Sequence, residues 1–266
     1  MSSPGEDAVI PAPEPLDPFV AEQRAALPVS AVAALAALGL DLVLTTRRGG
    51  VSSGSFASLN LGDHVGDRPH DVNENRTRLA RAMGVTRENL VIVRQCHGAT
   101  VVDAATATER CEGDVILLEQ NDRAAAILVA DCLALALVNA STHRVALVHA
   151  GWRGLAAGTI AAAYNEVAGG DGLVAFLGPC ISVDQYQVGP EVAENFLDVP
   201  GAVVSDIGDR SRLDLRLVAA HQLRRLGVSE DQVIRSSQST DGGVNFFSDR
   251  AQRPCGRFGL VAKWSS

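Results

Sequence analysis

The sequence predicts one mixed α/β domain. Three observations carry this reading. Apolar runs of strand length recur along the chain, bounded by Gly, Pro, Asn or Asp. Stretches with helical spacing are few and interleaved among those runs. Neither an internal repeat nor a linker follows residue 28. The 266 residues suffice for a substantial core, and a composition of 47% hydrophobic and 20% charged residues is that of a globular chain.

Taken in order, residues 1–19 are rich in Pro, Ser and acidic groups, and the whole of 1–27 is expected to be a disordered or loosely attached tail before a catalytic domain over 28–266. A short helix is expected over 29–39, after Pro28. Residues 42–46 read as a strand running into a loop, 47–54, whose glycines and hydroxyls let backbone approach a ligand. Residues 71–83 show helical spacing, with Val72, Leu79 and Met83 on one face and Gly84 as the C-terminal cap. The strand 90–94 delivers Gln95 and His97 at its end. Short strands follow at 101–104 and 114–118, then two central ones at 124–138 and 145–149. An Ala-rich helix is expected over 155–167, a strand over 173–178, helices over 191–197 and 214–226 (the latter closed by Gly227), and a last strand over 258–264.

Charge and cysteine usage narrow the function. The net charge is −8, and no basic stretch is longer than a pair, so the footprint of a nucleic-acid binder is missing. The five cysteines are odd in number, widely spaced and free of any Cys-x-x-Cys, which fits a reducing compartment. No basic residue precedes Arg24, and the apolar run 31–40 is too short to cross a bilayer, so the protein is expected to be cytoplasmic with no membrane partner.

Two of the apolar runs carry a soft ligand each. Cys132 sits in Ala130-Asp131-Cys132, and His149 ends Val145–His149 before the turn Gly151-Trp152-Arg153-Gly154. His97, in Gln95-Cys96-His97-Gly98, is the third candidate. Convergence of His97, Cys132 and His149 on one divalent metal would leave an open fourth position, the mark of a catalytic zinc site. Each residue alone has a plainer reading. Cys132 suits a small core position, and His149 can bond backbone at a strand end. His64, His70, His143 and His221 sit in polar or helical contexts and read as surface residues. No His-Glu-x-x-His is present, so spacing alone identifies no known metal motif.

A longer series of motifs runs in order: Thr45-Thr46-Arg47 with Gly49-Gly50-Val51-Ser52, Leu59-Asn60-Leu61-Gly62, Gln95-x-His97-Gly98, Ala130-Asp131-Cys132, His149-Ala150-Gly151-Trp152-Arg153-Gly154, Leu177-Gly178-Pro179, Val188-Gly189-Pro190-Glu191, Phe247-Ser248 and Gly256-Arg257. Over roughly residues 40–262 the chain resembles the laccase-domain family, also called the polyphenol oxidase or peptidoglycan editing factor family. The resemblance implies a single-domain layered α/β/β/α sandwich. It implies metal ligation by His97, Cys132 and His149. It also implies zinc-dependent phosphorolysis of adenosine, inosine, guanosine and methylthioadenosine, with adenosine deamination and a link in some members to peptidoglycan precursors. The chain departs from the usual family pattern at Cys96, Ala134, Ser239-Thr240 and Ser248-Asp249-Arg250.

The residues themselves suggest further roles. Arg47 and Arg153 are candidates for gripping phosphate, because guanidinium binds it through parallel hydrogen bonds. The Gly151–Gly154 turn would add free N–H groups. Asp131 is a candidate either to orient a histidine or to cap a turn, and Arg153 could instead serve a structural ion pair; Arg47, Asp131 and Arg153 make the candidate catalytic set. Asn60, Gln95 and Cys180 are candidate substrate contacts, although Asn60 and Gln95 could simply satisfy loop backbone and Cys180 also suits a buried small-residue position. The expected substrates are a purine nucleoside and phosphate, with Zn2+ as metal. Cu2+ competes for such a site in vitro, so a copper oxidoreductase is the first rival. A laccase needs a multi-copper cluster fed by many histidines, and the chain has six. A metal-free hydrolase with Cys132 as nucleophile, and a binding module guarding cell-wall synthesis, are the others.

Overall fold

The computed structural model describes residues 18–119 and 122–265. The first strands are β1 (Phe19–Arg24), β2 (Leu27–Val32), β3 (Leu40–Thr45), β4 (Leu90–Val91) and β5 (Val101–Asp103). Then come β6 (Val115–Glu119), β7 (Ala124–Val129), β8 (Leu133–Asn139), β9 (Arg144–Ala150) and β10 (Leu173–Leu177). The last are β11 (Gln187–Val188), β12 (Val203–Ser205), β13 (Ser211–Leu213), β14 (Val233–Arg235) and β15 (Phe258–Trp264). The helices are α1 (Ala33–Ala36), α2 (Pro69–Ala82), α3 (Trp152–Ala156), α4 (Thr159–Val167), α5 (Pro190–Ala193) and α6 (Leu215–Arg225).

Two six-stranded sheets form the body, ordered β1-β2-β3-β15-β7-β4 and β14-β10-β8-β9-β6-β5, with β11, β13 and β12 in a small third sheet. Three apolar layers follow from them. Val145 and Leu147 of β9 join Ile127, Val129, Leu260 and Ala262 between the two large sheets. The alternate residues of β9, Ala146 and Val148, pack outward with Leu155, Ile160 and Val218 of the helices. On the other side Leu79 and Met83 cover Val43, Ala126 and Val261. The result is the expected helix–sheet–sheet–helix layering. The central strands are buried on both faces, so they read as continuous apolar runs instead of alternating ones.

Local chemistry sets the helix ends. Pro69 occupies the first turn of α2, and Gly84 follows its end with φ 64°. Asp214 caps α6 by accepting the Leu217 N–H at 3.0 Å.

Four expectations are corrected. The tail expected over 1–27 lies outside the described residues as far as residue 17, and beyond that the structure contradicts it. Phe19–Arg24 is a strand paired antiparallel with β2. The expected helix over 29–39 is β2 through Val32 and then four helical residues, because Leu27, Val29 and Ala31 alternate into the layer beneath α2. The single strand 124–138 is two strands in different sheets, broken where Asp131 takes φ 82°. The Ala-rich helix is broken by Gly158 at φ 83° into α3 and α4.

Candidate metal centre and cleft

Chain reversals at two strand ends assemble the site. The break between β7 and β8 places Cys132 where the chain passes from one large sheet to the other. Across the sheet, β9 pairs with β8 and carries His149, opposite Ala134. His97 comes from the loop after β4, at φ 63°. One ligand atom from each of His97, Cys132 and His149 lies within 4.8 Å of the others. The two imidazoles meet edge to face, 4.7 Å between centroids.

Asp114, which precedes β6, holds this arrangement. Its fully buried carboxylate accepts the backbone N–H of Cys96 (3.2 Å), His97 (2.9 Å) and Gly98 (2.6 Å), and the Cys96 thiol at 3.1 Å. The same carboxylate contacts His149 Nδ1 at 2.8 Å, and the His149 N–H donates to the Asp114 carbonyl at 2.8 Å. This contact occupies Nδ1 and leaves Nε2 as the ligating atom of His149. Burial alone would raise the Asp114 carboxyl. Hydrogen bonds from His149, Gly98 and Cys96 outweigh it and keep the group well below the usual carboxylate range. Cys132 is shifted the same way: burial opposes ionisation, but the charge on His149 and hydrogen bonds from both histidines bring the thiol below its ordinary value. For His149, burial is outweighed by Cys132 and Asp114, which raise it. The pair therefore favours thiolate and imidazolium, and metal binding would displace the imidazolium proton.

The donor set of two imidazoles and one thiolate, with one histidine fixed by a carboxylate, fits a zinc ion with an open position. Gly151 is part of that fit. A Cβ there would lie 2.9 Å from Cys132 Sγ and 3.3 Å from His97 Cδ2. Gly151→Ala is therefore expected to weaken zinc binding at least about tenfold while the fold persists, measured by competition with a chromophoric chelator. Wild-type affinity in that variant would refute the crowding argument.

A cleft of about 530 Å³ opens above the cluster. His97, Cys132, His149 and Arg153 line it, together with Gln95, Asp131 and, unforeseen from sequence, His64, Tyr186, Arg250 and Arg257. Several expected contacts are elsewhere or already engaged. Arg47 does not line the cleft: its guanidinium donates to the carbonyls of Ala57 (2.8 Å) and Gly243 (2.5 Å) and stacks over Phe247. Asn60 is buried and satisfied, donating to the Gly62 carbonyl and Asp67 while accepting the N–H groups of Gly62 and Arg257. Gln95 spends both ends of its amide on the Leu128 backbone at 2.7 Å. Asp131 orients no histidine. It accepts the Thr240 hydroxyl and the Arg250 N–H, each at 2.6 Å, and so ties the C-terminal wall to the site. Cys180 is buried outside the cleft lining, and burial pushes its thiol up to about 12. The α3 helix is only five residues long, so Arg153 enters the cleft as a side chain and not as part of a helix-end anion site.

Residues 41–264 match the family described as multi-copper polyphenol oxidoreductase laccase. The chain belongs to this laccase-like family. A protein of Mycobacterium tuberculosis named purine nucleoside phosphorylase is 35% identical over 223 residues, spanning 81% of this chain and 88% of the relative. The Escherichia coli purine nucleoside phosphorylase YfiH is 34% identical over 227 residues, spanning 82% and 91%. The crystal structure of YlmD from Geobacillus stearothermophilus superposes with a TM-score of 0.85 at 29% identity, covering 94% of this chain and all (100%) of that one. Among the described residues no helix is long and apolar enough to cross a membrane.

Proposed function

We propose that the chain is a zinc-dependent purine nucleoside phosphorylase, acting on adenosine, inosine, guanosine and methylthioadenosine, with adenosine deaminase activity. The observation that carries this is the meeting of His97, Cys132 and His149, with Asp114 bonded to both histidine residues, in a cleft of about 530 Å³, a size suited to a nucleoside. The names of the Mycobacterium tuberculosis and Escherichia coli relatives support the reaction class. When bound, zinc supplies Lewis acidity at the cleft floor and brings the pKa of water there to about 7. Asp114 fixes the His149 ring, and Asp131 positions the Arg250 segment along the wall.

The test is purification without added copper, metal analysis, and incubation with adenosine or inosine, with and without phosphate. Phosphate-dependent release of free base and phosphate-independent conversion of adenosine to inosine are expected, both abolished by chelation and restored by zinc. Activity restored by copper alone, with oxidation of phenols, would replace this reading with the oxidoreductase one. A second reading has an observation of its own. Cys132, His149 and Asp114 form the sequence of contacts used by thiol hydrolases, consistent with amide cleavage on peptidoglycan precursors. That reading leaves His97 without a task, and it requires activity that survives chelation.

A further inference from the structure

Phosphorolysis needs a second subsite, for the anion. Six arginines line the cleft, against the four carboxylates of Asp63, Glu109, Asp131 and Asp249, in a chain whose net charge is −8. Five of the six guanidinium groups are engaged. Arg76 donates to the Leu61 carbonyl and pairs with Asp63, Arg94 pairs with Glu112, and Arg250 donates to the carbonyls of Gln185 and Gln187. Arg253 and Arg257 both pair with Asp249.

Arg153 differs. Among the described residues its guanidinium has no hydrogen-bond acceptor and no ion-pair partner, and it is exposed to the cleft. It rests over the Trp152 ring, 4.4 Å from the centroid. An arginine resting over an aromatic ring keeps the N–H groups at its edge free for an acceptor that offers two oxygens, as phosphate does. A second open donor stands nearby. The Tyr186 hydroxyl lines the same cleft and has no hydrogen-bond partner among the described residues, and its ring lies under Arg250 at 5.3 Å.

We infer that orthophosphate binds at Arg153, with the Tyr186 hydroxyl as second donor, on the Trp152 side of the His97–Cys132–His149 cluster. The inference rests on the phosphorylase reading and narrows the expected pair of Arg47 and Arg153 to Arg153, because the N–H groups of Arg47 are committed to carbonyls and those of Arg153 are free. In the step it serves, a phosphate oxygen forms the new bond to C1′. The C1′–N9 bond breaks, its electron pair stays on N9, and the proton of the hydrogen phosphate ends on the purine. The products are free base and ribose 1-phosphate, with nothing oxidised or reduced.

The test uses the zinc-loaded full chain with inorganic phosphate and inosine. Arg153→Gln raises the KM for phosphate at least about tenfold, because a charge-assisted bidentate contact is lost, and leaves the KM for inosine within about twofold. Tyr186→Phe raises the phosphate KM by about threefold, and Arg153→Lys falls between Arg153→Gln and wild type. Zinc content, measured in each variant, stays at the wild-type level. Calorimetric titration with phosphate alone runs in parallel. If the wild type releases no base yet binds phosphate, and Arg153→Gln does not, the phosphorylase reading fails and the subsite stands. If the wild type phosphorolyses inosine and Arg153→Gln keeps its phosphate KM, or loses phosphate and inosine affinity equally, the subsite is overturned and the phosphorylase reading stands. A wild type that neither releases base nor binds phosphate overturns both.

Discussion

Cys132→Ala is expected to lose stoichiometric zinc and to bring phosphorolysis and deamination to background. The thiolate is the one soft donor of the trio and its one anionic ligand, so the remaining imidazoles offer a neutral, two-point site. The loss in zinc affinity should exceed the roughly 100-fold upper range for removing an outer-sphere partner. Misfolding does not account for this result. Cys132 is half-buried at a strand start, and the change removes one sulfur, a cost of about 1 kcal/mol in unfolding free energy. Metal analysis together with denaturant unfolding separates the two effects. A Cys132→Ala protein that retains both zinc and turnover would end the assignment of that ligand.

Asp114→Asn is expected to damage the site and the fold together. The carboxylate accepts three consecutive backbone N–H groups and contacts His149 at 2.8 Å, all around a fully buried oxygen pair. An amide offers one acceptor oxygen and turns an NH2 group towards donors. Zinc affinity should fall about 10- to 100-fold as the His149 ring loses its anchor. The unfolding free energy should fall by at least about 3 kcal/mol, since buried charge-assisted bonds are lost and their donors left unpaired. Denaturant unfolding with and without chelator measures both. Wild-type zinc affinity in the variant would show that Asp114 has no part in the metal site.

Much of the fold is legible in the sequence. The run at 145–149 reads as a strand because branched and small apolar residues fill it, and the apolar run 124–138 reads as strand for the same reason. The break at 130–132 is not legible, since Asp131 alone marks a change of sheet and its φ of 82° is imposed by its ties to Thr240 and Arg250, distant in sequence. The misread helix at 29–39 shows alanine-rich composition overridden by strand pairing with β1 and β3. In the site, His97, Cys132 and His149 stand out by residue type at strand ends. Asp114 does not, because no spacing links it to them. The available signal is a lone acid directly before the apolar run 115–118, where a buried charge demands partners. Arg47 and Asn60 attract attention for a reason that misleads. A loop rich in glycine and polar groups looks like a ligand cradle, yet its polar groups satisfy the loop itself.

The position of the three donors at the boundary between the large sheets has a mechanical consequence. His97 follows a strand of one sheet, Cys132 lies in the crossing between the two, and His149 sits in a strand of the other. A cation held there clasps the two halves of the sandwich across their shared seam. Zinc at a thousand times its dissociation constant would add about 4 kcal/mol to the native state. Bound zinc would thereby make the stability of the folded chain a function of zinc supply.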